Sequence, residues 1–466
     1  VANTALPSVA VIAPVDVHHN VLGPGLRYRA FAEAIGARQP VTLITPGARA
    51  PRTERYATAT LSDPAAVDAI MKTHGVVVMQ GYPLVTQPHL RAAILRERPA
   101  LAVDLYAPLN LEGLAVHDPV TGQAAAARDL HALLDQLTLG DFFFCASERQ
   151  RDYYLGLLAA LGRLDIGATF SDPAARRMID VVPFGCEEQP PTAGPPVVKG
   201  AHPAIPADAT VMLWFGGLWN WLDGASVVSA FGKIAEAHPN ARLVFVSAPA
   251  DPENPHAARG ERAARAASDA LGLTDRQIVF FGPVAPERRG ALLLESDIGL
   301  SYNRDILETR FAFRTRLIDY AWAGLPMITG AGDTLGDRFA ALGLADAVPP
   351  GDVAGLAAAM TRMLADPARR TRRAEAFARA RSALSWSNGV GPLLTFCAAP
   401  YRQAHAPRPL AGDVTADALR QENDQLRHAL KAAQDEIAAL RDGRVMKALN
   451  RLQGVINQAR APKGRP

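Results

Sequence analysis

In the stretch Phe311-Ala-Phe-Arg314-Thr315-Arg316-Leu-Ile-Asp319-Tyr-Ala-Trp-Ala-Gly324-Leu-Pro-Met-Ile328, two cations stand where the spacing starts a helix, and a carboxylate follows within a turn. Gly324 suits the end of that helix, and Leu-Pro-Met-Ile-Thr after it reads as a buried strand. Cations at a helix start are disfavoured, because the aligned peptide dipoles already make that end positive. An anionic ligand relieves the conflict, and phosphate is the anion such ends accommodate. Asp319, three residues after Arg316, shares its face and offers two oxygens to a ribose diol. An internal Arg316–Asp319 ion pair on a packing helix accounts for the same residues without a ligand.

Other segments carry chemistry as well. Gly23-Pro-Gly25-Leu-Arg27-Tyr28-Arg29 leads from a strand toward a helix, and its glycines let backbone approach a ligand. Tyr28 occupies the third glycine position of a dinucleotide fingerprint and no acid closes the next strand, so an NAD site is not expected. Asp16-Val-His18-His19 follows the first strand. Adjacent histidines point in different directions and no further ligand is spaced for a metal site, so metal-independent chemistry is expected, with His19 beside the reacting groups and Asp16 toward an acceptor. Asp104 and Glu112 flank a further loop and can orient a hydroxyl. Trp219-Asn-Trp221 either stacks a base or sugar or packs in the core.

These groups need positioning elements. Apolar runs at 8–13, 40–45, 76–80, 100–105, 142–146 and 180–183, separated by Ala- and Leu-rich helical segments, predict a parallel-sheet domain over 1–190. Residues 191–209 are a Pro-rich linker. The alternation restarts over 210–400, with strands expected at 211–215, 242–247, 278–281, 297–301 and 326–329. The fold class is α/β, two tandem Rossmann-like doubly wound domains with a cleft between the C-terminal ends of their sheets.

Residues 413–466 differ. Leu419, Asn423, Leu426, Leu430, Ile437 and Leu440 recur at three- and four-residue spacings, a coiled-coil seam suited to a homodimer; a lone amphipathic helix has the same spacing. Beyond Gly443 a basic amphipathic stretch fits peripheral contact with an anionic membrane face or the end of an oligomer interface. The chain of 466 residues carries a net charge of +3, but seven Lys or Arg and one Asp fall within 440–466, so this end holds +6 and the rest −3. The basic character belongs to the tail and does not argue for nucleic acid. Three well-separated cysteines exclude a disulfide framework, and the opening residues lack the pattern of a secretory signal, so a cytoplasmic setting is expected.

The 311–328 segment resembles the donor site of family-4-type retaining glycosyltransferases with the two-Rossmann GT-B fold. Asp319 stands where that family has the Glu that binds ribose hydroxyls, and Arg316 matches the basic residue of the variant Pro-x-Lys-x-x-Glu-Tyr. Val182-Pro-Phe-Gly185 resembles the family's Val-Pro-Asn-Gly turn, and Phe215-Gly-Gly217-Leu the start of its second domain. The resemblance covers roughly residues 8–400. It implies hexose transfer from a nucleoside-diphosphate sugar to a glycan acceptor, with no cofactor, in cell-surface polysaccharide assembly at the inner membrane face. Gly23, Gly25, Gly217, Thr315 and Asp319 would bind the donor, and Asp16, Asp104 and Glu112 the acceptor.

This chain departs from the pattern in two places. Phe311 occupies the position of the first acid in Glu-x7-Glu, so that contact is missing or moved to Glu308. Leu218 and Leu222 replace the family's Arg and Lys, leaving Arg314 and Arg316 to compensate the departing diphosphate. A nucleotide-sugar epimerase, or a non-catalytic scaffold recruiting transferases through the tail, fits the same departures.

Overall fold

The computed structural model describes residues 6–17, 23–47, 52–117, 119, 122–164, 166–247 and 259–403, together with 427–428, 430–435, 447 and 451–453 near the C-terminal end. Residues 1–405 and 406–466 form separate units. In the second unit the described residues are helical; Leu430 and Leu452 are each 60% exposed. The other seam positions, Leu419, Asn423, Leu426, Ile437 and Leu440, lie outside the described residues, as does His19. No helix among the described residues is long and apolar enough to cross a membrane.

The first unit contains two all-parallel sheets. One comprises β1 (Val9–Ile12), β2 (Val41–Thr45), β3 (Ala57–Thr60), β4 (Val76–Gln80), β5 (Ala100–Asp104), β6 (Phe142–Cys145) and β7 (Ile179–Val181), in the order β3-β2-β1-β4-β5-β6-β7. The other comprises β8 (Thr210–Phe215), β9 (Ala241–Val246), β10 (Ile278–Phe281), β11 (Ile298–Ser301), β12 (Met327–Gly330) and β13 (Ala345–Val348), in the order β10-β9-β8-β11-β12-β13. Central strands such as Val-Ala-Val-Ile and Phe-Phe-Phe-Cys are buried throughout, as expected when helices cover both faces of a sheet.

The sequence reading misses β3 and β13, which lie at sheet edges. Ala-Thr-Ala-Thr and Ala-Asp-Ala-Val have the polar, short character of edge strands rather than the apolar run that marks a central one. A second difference concerns Gly23-Pro-Gly25. The helix is expected from Arg27, yet it spans Gly23–Gly36, so the two glycines form its first turn rather than a loop before it. Proline in a first turn loses no intrahelical bond, which permits the early start.

Strand order reverses between β1 and β4 in the first sheet and between β8 and β11 in the second, opening a crevice at each. β8 and β11 pair only through Ile298–Met212 and Gly299–Leu213. Past that point the Tyr320 hydroxyl fills the gap: it accepts the Phe215 N–H and lies 3.0 Å from the carbonyls of Leu213 and Leu300. Gly299 makes this possible, since a Cβ there would meet the Tyr320 ring at 2.6 Å.

The chain passes between sheets twice. Val182–Cys186 leads out of the first, and residues 384–386 lead back, the two running side by side through the Cys186–Ser385 bridge and the Cys186 N–H bond to Leu384. After the return, the helix Gly391–Ala398 packs Leu393, Phe396 and Cys397 onto the core of the first sheet, with Phe396 stacked on Phe142 at 5.1 Å. The last stretch of the expected 210–400 domain is therefore part of the first sheet's cover. Phe396→Ala should cost about 3–5 kcal/mol in urea unfolding, and the loss should appear in probes of the first sheet although the residue comes from the distant end of the unit.

Candidate functional site

Tyr320 belongs to the helix Thr315–Trp322, which carries the expected site residues and ends before Gly324 at φ +66. Two features fix the far end of this helix. Arg370 donates to the carbonyls of Ala323 and Gly324, and also to those of Leu293, Leu294 and Ser296 at the end of the neighbouring helix Arg289–Glu295. A cation at paired helix C-termini satisfies orphan carbonyls and opposes their negative end.

At the near end, Arg314 and Arg316 separate in role. Arg314 donates Nη1 and Nη2 to the two oxygens of Glu308 at 2.8 and 2.6 Å, and both side chains are buried. Its charge is answered inside the protein, a correction to the expectation that both arginines face an anion. Arg316 donates Nη2 to the Gly217 carbonyl at 2.7 Å and lies over the Trp214 ring at 4.5 Å. Its buried Nη1 has no hydrogen-bond partner among the described residues. Burial lowers its pKa to about 10, with the Arg314 charge adding to the fall, so the group remains a cation at neutral pH. Glycine at 216 is required by φ +103, and it lets backbone pass close to this guanidinium.

The first sheet brings its own helix start to the same place. A Cβ on Gly23 would lie 3.7 Å from Thr315 Oγ1, so the N-terminal turns of Gly23–Gly36 and Thr315–Trp322 lie close together. Both present backbone N–H groups and positive dipole ends, which makes the gap between them suited to an anion.

Asp319 is not paired to Arg316. Arg289 Nη1 approaches it at 3.6 Å while donating to Glu187 at 2.9 Å and stacking on Trp322. Burial raises the Asp319 carboxyl to about 6, against the pull of Arg289. Glu187 and Arg289 also line a groove of about 440 Å3 with Leu26, Phe184 and Trp386. Sequence reasoning missed Arg289 and Glu187, which lie 30 and 132 residues from Asp319 and carry no motif.

Of the acceptor candidates, Asp104 is corrected. Its oxygens receive Arg27 Nε at 2.7 Å and Nη2 at 3.0 Å, and the Tyr106 N–H as well, leaving it a buried anchor with no free face for a ligand. Asp16 is half-buried just after β1 and has a partner of its own. Glu112, on the helix Leu109–Val116, faces the Glu308–Arg314 pair across the cleft. Burial and the Glu308 charge raise its carboxyl to about 7. Asp333, unnoticed in the sequence, caps the helix Thr334–Ala341 through Oδ1 while its buried Oδ2 is unpartnered among the described residues. The Asp-Thr pair after a buried strand is a helix-start signal that could have found it.

Phe311 makes contacts with the first sheet's half. Its ring lies 5.0 Å from Tyr153 and its carbonyl accepts Gln150 Nε2 at 2.9 Å. Arg149 spans the cleft too, donating to the Gly332 carbonyl and to Asp337. Among the described residues no group of three or more His, Cys, Asp or Glu is placed to hold a metal ion.

No protein-family model matches this chain, and neither does any curated protein sequence. Solved structures do share its fold. Sucrose-phosphate synthase from Thermosynechococcus elongatus superposes with a TM-score of 0.56 at 17% identity, covering 92% of this chain and 100% of that one. The E. coli trehalose-6-phosphate structure bound with UDP-2-fluoro glucose gives 0.59 at 14%, covering 85% and 100%. Anabaena HepE in complex with UDP-glucose gives 0.54 at 13%, covering 84% and 99%. The described architecture is thus the two-sheet glycosyltransferase fold.

A raised carboxyl pKa means that the folded state holds its proton more tightly than the unfolded chain does. Glu112 therefore contributes stability that is present below its ordinary value of 4.5 and lost as pH rises through about 7. Glu112→Gln should flatten this dependence, gaining stability over the native protein at pH 8 and little at pH 4, as read by urea midpoints at the two pH values.

Proposed function

We propose that the chain is a glycosyltransferase that moves a hexose from a nucleoside-diphosphate sugar to a carbohydrate acceptor. The observation that carries this reading is Arg316: a buried cation with Nη1 unpartnered among the described residues, at a place where two helix starts lie close together. Diphosphate meets all three features at once. Asp319, held by Arg289, takes the ribose hydroxyls, and the groove lined by Glu187 and Arg289 lies at that nucleoside end. The UDP-sugar ligands of the HepE and E. coli structures support a uridine donor here.

Reaction breaks the bond from the anomeric carbon to the diphosphate oxygen and forms one to an acceptor oxygen, which gives up its proton. Negative charge grows on the leaving oxygens. Arg316 and the two N-terminal turns are already aimed at that position, so they stabilise the departing group without reorganising. Arg314 pairs with Glu308 through Nη1 and Nη2, its Nε being unpartnered among the described residues, and the pair holds the loop that precedes the helix. Glu112, with a carboxyl near neutrality, orients the acceptor hydroxyl from the opposite wall. Contacts across the cleft, from Arg149 to Gly332 and Gln150 to Phe311, exclude water that would hydrolyse the donor.

Within this reading transfer is retaining and metal-independent, its products serve cell-surface polysaccharide assembly, and the basic tail holds the protein at the inner membrane face. A thermal-shift series with UDP, GDP, TDP, ADP and CMP should single out one nucleotide. Arg316→Ala should abolish that shift and lower turnover about 100- to 1,000-fold with the fold intact. Unchanged turnover in this variant would overturn the assignment.

A further inference from the structure

Trp219 and Trp221 follow β8 in the loop that also supplies Gly217. Their rings stack at 5.5 Å with 17° between planes. Trp221 packs against the core of the second sheet, whereas Trp219 is 41% exposed. The exposed part of the ring offers a broad apolar face that a ligand can cover. Its position is nonetheless fixed from several sides. A Cβ on Gly217 would meet Trp219 Nε1 at 2.6 Å, so the indole lies directly against that backbone, whose carbonyl holds Arg316. Gly260 N–H bonds Asn220 Oδ1 between the two tryptophans, and the Trp221 carbonyl accepts Arg304 N–H. A rigid aromatic surface thus stands immediately beside the unpartnered cation.

We propose that Trp219, backed by Trp221, is a stacking platform for a pyranose ring of the carbohydrate substrates. The apolar C–H face of a pyranose covers an indole, while its hydroxyls remain free for the polar groups around it. A nucleobase would also stack, but location separates the two. Asp319 is flanked by Glu187, which directly follows the crossover between sheets, and by Arg289 at the start of the helix Arg289–Glu295. Trp219 is flanked by Gly260, and the adjacent Arg259 reaches the Val116 carbonyl on the helix that carries Glu112. The platform therefore sits toward the acceptor wall, on the sugar side of the diphosphate. This placement rests on the diphosphate reading of Arg316.

The test uses the full chain and follows tryptophan fluorescence during titration with UDP, UDP-glucose, maltose, cellobiose and lactose, for the native protein, Trp219→Phe and Trp219→Ala. Circular dichroism verifies that the variants fold. Trp219→Ala should weaken binding of the stacking sugar about tenfold, leave UDP affinity unchanged, and be rescued by Trp219→Phe. Loss for UDP-glucose identifies the donor hexose as the occupant, and loss for a disaccharide identifies the acceptor; either supports the platform. An equal loss for UDP would make the ring a base platform and overturn the proposal, as would no loss for any probe. A native protein that binds a disaccharide through Trp219 but no UDP would retain the platform and remove the diphosphate reading instead.

Discussion

The buried guanidinium of Arg27 ties together the parts on which the site depends. It lies in the helix Gly23–Gly36, holds Asp104 at the end of β5 through two nitrogens, and donates to the carbonyls of Val182 and Pro183 where the chain leaves the first sheet. Phe31 and Tyr106 cover its faces. A charge removed from water in this way is tolerated only when its hydrogen bonds and counterion are all present. The constraint fixes the helix, the end of β5 and the start of the crossover as one body, and so sets where Gly23 stands.

From that anchor the two halves supply complementary features. The first contributes one helix start and an acidic wall at Glu112; the second contributes Arg316, Asp319 and an aromatic loop. Neither set is complete alone. Crossing contacts made by Arg149 and Gln150 join the two halves. The site is consequently an interface as much as a pocket, and its electrostatics depend on both walls being in place.

The positions where the sequence departs from the resembled pattern have a physical account. Leu218 and Leu222 join the core of the second sheet. Arg316 reaches back over Trp214 to the Gly217 carbonyl. Phe311 packs on Tyr153.

Local pattern determined the α/β class, the nine inner strands together with edge strands β7 and β10, and the helix bearing Arg316 and Asp319, because burial of both sheet faces writes itself as apolar runs and helix ends as particular residues. The pairing of charges did not follow from local pattern. Arg314 with Glu308, Arg289 with Asp319 and Arg27 with Asp104 are chosen by which loops the two sheets bring together, and Asp104 changed from ligand contact to anchor for that reason. Edge strands β3 and β13 escaped because Ala-Thr-Ala-Thr and Ala-Asp-Ala-Val hold no apolar run, unlike Ile-Val-Phe-Phe of the edge strand β10. Spacing along a chain specifies which groups are available, but only tertiary contact decides which charges are already neutralised and which, like Arg316 at Nη1, keep an unpartnered donor among the described residues.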